Sequence, residues 1–192
     1  VLSDSGFSGY LTINDIIPII DNLYQNFDKS FFIEQVKKFQ LPRNKRIKDF
    51  STGMKAKVKV LVAVSHNAKL LILDEPTAGL DPVGRDEILG MIKEVHEKTQ
   101  NTIVLVSHSM EDVAKYVDRI VVMNDGRLTF DDTPQNVFSH YKELEKIGLA
   151  APEITYIMND LKKRGFDVKT DALTIGEGIA EITERLQEKG IF

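Results

Sequence analysis

The chain has 192 residues, 42% of them hydrophobic and 28% charged, a balance typical of a globular protein able to bury a sizeable core. It has no cysteine, which excludes disulfides, thiolate metal sites and a cysteine nucleophile, and no stretch reads as a membrane span. Net charge is −4 but uneven: residues 1–67 hold ten Lys/Arg against six Asp/Glu, and residues 68–192 hold fifteen against twenty-three.

Val1-Leu2-Ser3-Asp4, with no initiator Met, reads as the end of a strand running into a loop and as the continuation of a longer parent. Ser5–Gly9 is a loop by its small residues. Two starts compete for the first helix. Thr12 with Asp15 resembles a capping box but leaves Pro18 in the helix interior. Asp15 as N-cap places Pro18 at N3, where no intrahelical bond is lost, and is the expected start. Ile16, Ile19, Ile20 and Leu23 would then form the apolar face. Asp28 caps a second helix with Phe32, Val36 and Phe39 on one stripe. These aromatics fit a core better than a ligand box.

Ser51 caps a third helix, from about Thr52 to Ser65. The strand Lys69–Leu73 follows, an unbroken aliphatic run of the kind buried on both faces of a parallel sheet. It ends in Asp74-Glu75 and a loop, Pro76-Thr77-Ala78-Gly79-Leu80-Asp81. Pro82–Lys98 is helical. Thr102–Val106 is a second strand, ending in Ser107-His108-Ser109, with Ser109 capping the next helix. Arg119–Met123 is a third strand, returned by a hairpin turn at Asn124-Asp125-Gly126-Arg127. Thr133-Pro134 opens a short helix. After Ser139 the chain changes character, with amphipathic helices at Pro152–Arg164 and Ile175–Lys189.

Strand, helix, strand, helix, strand from residue 69 onward predicts an α/β fold with parallel strands, behind an N-terminal helical subdomain. The expected divisions are 1–67 (helical), 68–138 (α/β core) and 139–192 (helical extension). Two carboxylates at the carboxyl end of a parallel strand stand where such sheets bind ligands. One acid can hold Mg2+ and its neighbour can take a proton from water, as phosphoryl transfer requires. A core strand meeting an acidic loop is the plain alternative. Seven basic residues fall within Arg43–Lys59, with Asp49 the one acid there. Such a cluster serves either a phosphate-bearing partner or a solvated face.

Phe50-Ser51-Thr52-Gly53-Met54, the Leu70–Pro82 stretch, and His108 occur in an order and spacing that resemble the ATP-binding subunit of ABC transporters. The resemblance covers nearly the whole chain and implies an ABC-type P-loop NTPase core. It implies that Asp74 is the Walker B aspartate holding Mg2+, and that Glu75 orients and deprotonates the attacking water. His108 would be the switch histidine at the γ-phosphate of ATP, where a packing histidine is the alternative. Asp81 would belong to the loop that crosses to a partner subunit, or be a simple turn residue before Pro82. Phe50–Met54 stands where the family has Leu-Ser-Gly-Gly-Gln. Ser51, Thr52 and Gly53 keep a hydroxyl and a helix N-terminus for phosphate, but the first Gly and the Gln amide are lost. An ordinary Ser-capped helix is the alternative.

The family places a Gln near this chain's start. Asp4 is the expected equivalent, with Ser3 next. No Gly-x-x-x-x-Gly-Lys-Ser/Thr occurs in the 192 residues, so the main phosphate nest and its lysine are not within them. Residues 1–60 resemble antibiotic or multidrug exporter ATPases. The tail from about Glu94 resembles ATPases of energy-coupling factor importers, a likeness carried by Gly126–Phe138 and Pro152-Glu153-Ile154-Thr155.

The resemblance implies ATP and Mg2+ as ligands, and a second ATPase subunit, homo- or heterodimeric, as partner. Transmembrane transport subunits would be reached through the helical unit, with Phe7, Tyr10 and Leu11 as candidate contacts. The expected place is cytoplasmic, peripheral on the inner face of the membrane. Nucleic acid is not an expected partner. A DNA- or ribosome-directed ATPase would rest on the basic cluster alone, and a non-catalytic scaffold on the missing phosphate loop.

Overall fold

A computed structural model describes residues 9–190; Ser3, Asp4 and Phe7 lie outside the described residues. The chain divides into two compact units, one running to Val106 and the other from Ser107.

The first unit holds helices α1 (Ile13–Leu23), α2 (Lys29–Lys38) and α3 (Thr52–Val64), strand β1 (Leu70–Asp74), helix α4 (Pro82–Thr99) and strand β2 (Thr102–Val106). The start of α1 corrects the sequence expectation. Thr12, not Asp15, is the N-cap, in a full capping box: the Asp15 carboxylate accepts the Thr12 N–H at 2.8 Å, and the Thr12 hydroxyl oxygen accepts the Asp15 N–H at 3.3 Å. The flanking chain is held from residues about thirty positions on. Ile47 N–H donates to Leu11 O and Asn14 N–H to Arg43 O. Pro18 therefore sits inside the helix, and the buried stripe is Ile13, Ile16, Ile17 and Ile20. Ile19 and Leu23, expected inward, are 38% and 67% exposed. The box satisfies two end groups and brings Ile13 and Ile17 into the core, which outweighs one intrahelical bond lost at Pro18.

Asp28 caps α2 and Ser51 caps α3, as their sequences indicate, each accepting an N–H from three residues on. Strands β1 and β2 pair in parallel, Leu71 opposite Ile103 and Leu73 opposite Leu105. Burial on both faces does not hold. Leu73 is 7% exposed, whereas Leu70 and Ile72 are 54% and 64% exposed, beside exposed Val104 and Val106. Among the described residues the parallel sheet has two strands, with one face turned inward and one facing solvent.

The second unit holds α5 (Met110–Tyr116), β3 (Ile120–Asn124), β4 (Arg127–Asp132), α6 (Pro134–Ser139), α7 (Tyr141–Lys146), α8 (Glu153–Lys163) and α9 (Ile175–Glu188). β3 and β4 form the expected hairpin. Asp125 and Gly126 both take positive φ, as a tight two-residue turn requires, and a bulge falls between Val122 and Met123. Phe138, Val137 and Leu144 pack with Ile120 and Val122 in one core. Ile154 and Met158 of α8 form a second with Val168 and Ala172. Thr174 opens α9 with a capping box to Glu177.

Candidate functional site

The site residues of the first unit hang on the end of β1. Asp74 is the last residue of the strand and is exposed. Glu75 carries the pairing one step further, its N–H donating to Val106 O at 2.9 Å. It then turns into the left-handed region at φ 45. A non-glycine residue held there costs on the order of 1 kcal/mol or more and persists only where the surroundings impose it. The two carboxylates are thus delivered on different backbone geometries, Asp74 in the strand and Glu75 in a sharp turn. The loop closes through two further bonds, Ala78 N–H to Glu75 O and Leu80 N–H to Thr77 O, around a buried Thr77.

Asp81 ends the loop as N-cap of α4. Its Oδ1 accepts the Gly84 N–H at 2.9 Å, with Pro82 in the first turn. Its position is therefore explained by helix capping, whatever else it does. Ser51 likewise caps α3, its Oγ accepting the Met54 N–H at 3.2 Å. That leaves the hydroxyl proton to donate elsewhere. The N–H groups of Thr52 and Gly53 precede the intrahelical ladder.

The structure brings this helix start against the loop after β1. A methyl placed on Gly53 would stand 3.3 Å from Leu80 Cδ2, and one on Gly79 would stand 3.4 Å from Thr52 Cγ2. Lys57 of α3 pairs with Glu87 of α4 and lies 5.3 Å from the centre of the Phe39 ring. Neither contact is legible in the motifs. A hint lies in the glycine at 53, inside a helix that has no conformational need of it.

His108 belongs to the second unit. It is exposed and stands just ahead of Ser109, the N-cap of α5, whose N–H donates to Ser107 Oγ at 3.1 Å. Asp4 lies outside the described residues. Among the described residues no three His, Asp or Glu side chains gather as a metal cluster. Asp74 offers an exposed, hard oxygen donor at the end of β1, with the half-exposed Glu75 next to it. That fits Mg2+, which is commonly held by one or two carboxylates with the remaining positions filled by water and phosphate oxygens.

An α/β core with adjacent acids at a strand's carboxyl end places polar groups where such sheets bind ligands. The profile of the family described as "AAA domain, putative AbiEii toxin, Type IV TA system" matches residues 8–112, more than half the chain, and the chain belongs to this family. Its homologues are ATP-binding proteins of energy-coupling factor transporters. It is 46% identical over 147 residues to the energy-coupling factor transporter ATP-binding protein EcfA2 of Clostridium tetani, covering 77% of this chain and 51% of that protein. With EcfA1 of Caldanaerobacter subterraneus it shares 40% over 127 residues, 66% of this chain and 46% of that protein. The chain spans about half the length of the curated relatives it matches. Among solved structures, cbiO1 from Clostridium perfringens, described as part of the ABC transporter complex cbiONQ, superposes with a TM-score of 0.60. It is 28% identical, with 81% of this chain and 64% of that chain covered. An ATP-binding subunit of an ABC transporter gives 0.60 at 23% identity over the same shares, a likeness of fold.

Proposed function

We propose that this chain is an ATP-binding, ATP-hydrolysing subunit, or a large part of one, that powers transport through membrane partners. The observation that carries the reading is Glu75 in a left-handed turn directly beyond Asp74, tied to β2 through Val106 O. Asp74 would hold Mg2+, which would supply charge neutralisation at the phosphates. Glu75 would orient a water and accept its proton. The first turn of α3, with Ser51, Thr52 and Gly53, would face phosphate oxygens through N–H and O–H donors. His108 would meet the terminal phosphate, and Asp81 would face a partner ATPase subunit. Asp4 would be the counterpart of the family's Gln.

The functional divisions would be 1–67, 68–138 and 139–192, which differ from the two compact units divided after Val106. The partners would be a second ATPase subunit and transmembrane subunits, with the chain peripheral on the cytoplasmic side. No helix among the described residues is long and apolar enough to cross a membrane. The nucleic-acid alternative loses support because two of its basic residues are engaged: Lys57 on Glu87, and Lys48 over the Tyr10 ring at 4.2 Å.

The test is a chimera in which the matching 147 residues of this chain replace their counterparts in Clostridium tetani EcfA2. Glu75→Gln should lower its ATP turnover by about 100-fold or more. Unchanged turnover would refute the motor and favour the scaffold alternative. The chain by itself, without a phosphate-loop motif in its 192 residues, should bind Mg-ATP weakly or not at all. Micromolar binding in calorimetry would overturn that.

A further inference from the structure

Gly53 and Gly84 each sit in the first turn of a helix, α3 and α4, and neither has a positive φ. Backbone freedom therefore does not explain them, and glycine in a helix costs roughly 1 kcal/mol relative to alanine. The tight neighbour is the cap oxygen of Asp81 at Gly84 and the side chain of Leu80 at Gly53. Leu80, 7% exposed, stands between the two helices. A methyl on Gly53 would come within 3.3 Å of Leu80 Cδ2. One on Gly84 would come within 3.6 Å of Leu80 Cβ and 2.7 Å of Asp81 Oδ1. Leu80 is fixed from its backbone too: its N–H donates to Thr77 O, and its carbonyl accepts Arg85 Nε at 3.2 Å. The loop that begins at Glu75 thus ends in a wedge pressed on the start of α3.

We propose that Leu80 is a positioning residue that sets the first turn of α3 relative to the carboxylates at the end of β1. Gly53 leaves room for Leu80 Cδ2. A rearrangement of the Glu75–Leu80 loop then moves the N–H groups of Thr52 and Gly53, and the reverse. The functional consequence rests on the reading of those groups as phosphate donors given above; the wedge itself does not.

The test has two arms. In the chimera, Gly53→Ala should raise the KM for ATP about tenfold with kcat changed less than about threefold. Adding Leu80→Ala, which removes the obstructing Cδ2, should bring KM back to within about threefold of Leu80→Ala alone. An equal KM increase in both backgrounds would place Gly53 against the ligand and overturn the proposal. In the chain itself, amide hydrogen exchange at residues 52–55 should speed up about tenfold in Leu80→Ala and stay unchanged in Leu80→Met, which refills the same space. Unchanged exchange in Leu80→Ala would overturn the wedge even if the chimera proved inactive. Coupled exchange with an inactive chimera would retain the wedge and reject the ATPase reading.

Discussion

Gly178→Ala sets two known magnitudes against each other. Gly178 lies one turn into α9, its N–H donating to Thr174 O, so alanine should stabilise the helix by about 1 kcal/mol. The position is also where α9 meets α8. The added methyl would stand 2.7 Å from Ile154 Cγ1, closer still to its Cδ1, and 3.6 Å from Met158 Sδ. Ordinary carbon contacts are about 3.5–4.0 Å, so Ile154 must retreat by roughly an ångström. It has little room: Ile154 is 6% and Met158 0% exposed, packed with Val168 and Ala172. Overpacking of this kind costs about 1–3 kcal/mol, so the packing effect wins and the net change is a loss of about 1 kcal/mol. In an Ile154→Ala background the obstruction is gone, and the same substitution should stabilise by about 1 kcal/mol. Amide hydrogen exchange of peptides from α8 and α9 reads both, as faster opening in the first case and slower in the second. The same sign of effect in both backgrounds would refute the described contact.

Three other outcomes follow from single residues. The Thr12 hydroxyl and the Thr12 N–H both donate to the Asp15 carboxylate and hold its pKa below the usual value. A depressed carboxylate stabilises the fold fully above its unfolded value of about 3.9, and loses that contribution as pH falls through the lower folded value. Acid titration by circular dichroism should therefore show a component below about pH 4 that Asp15→Asn removes; identical titrations would contradict the capping box. Leu73→Ala should cost about 2–5 kcal/mol in urea unfolding, against about 0.5 kcal/mol or less for Ile72→Thr. Equal losses would mean the inward face of β1 is misassigned. Arg119 grips Asp131 through two nitrogens at 2.5 and 2.7 Å, yet the pair is exposed, so Arg119→Ala should leave the urea unfolding midpoint nearly unchanged, and a large drop would contradict that.

Local chemistry was readable from local sequence. The caps at Asp28, Ser51, Ser109 and Thr174 join residues three apart, so the pattern contains both partners. The Asp125-Gly126 turn is legible for the same reason. The start of α1 was not, because the competing starts at Thr12 and Asp15 are both locally reasonable. The choice came from Arg43 and Ile47, about thirty residues on, which pin the chain on either side of Thr12. The candidate site divides in the same way. Asp74, Glu75, Ser51 and Asp81 could be nominated from order and spacing. That Asp81 is also a helix cap, and that Glu75 sits at positive φ, is decided by the folded chain.

Order, spacing and residue type along the chain determined the α/β class, the ABC-type resemblance and the acids that end β1. Those are properties of neighbours in sequence, where a hydrogen bond or an apolar run is complete within a few residues. The tertiary structure alone decided that β1 buries one face, with Leu73 inward and Ile72 exposed. It alone decided that Leu80 Cδ2 takes the space beside Gly53. Both depend on which atoms from distant segments occupy the same volume, and close packing settles that only when the segments meet.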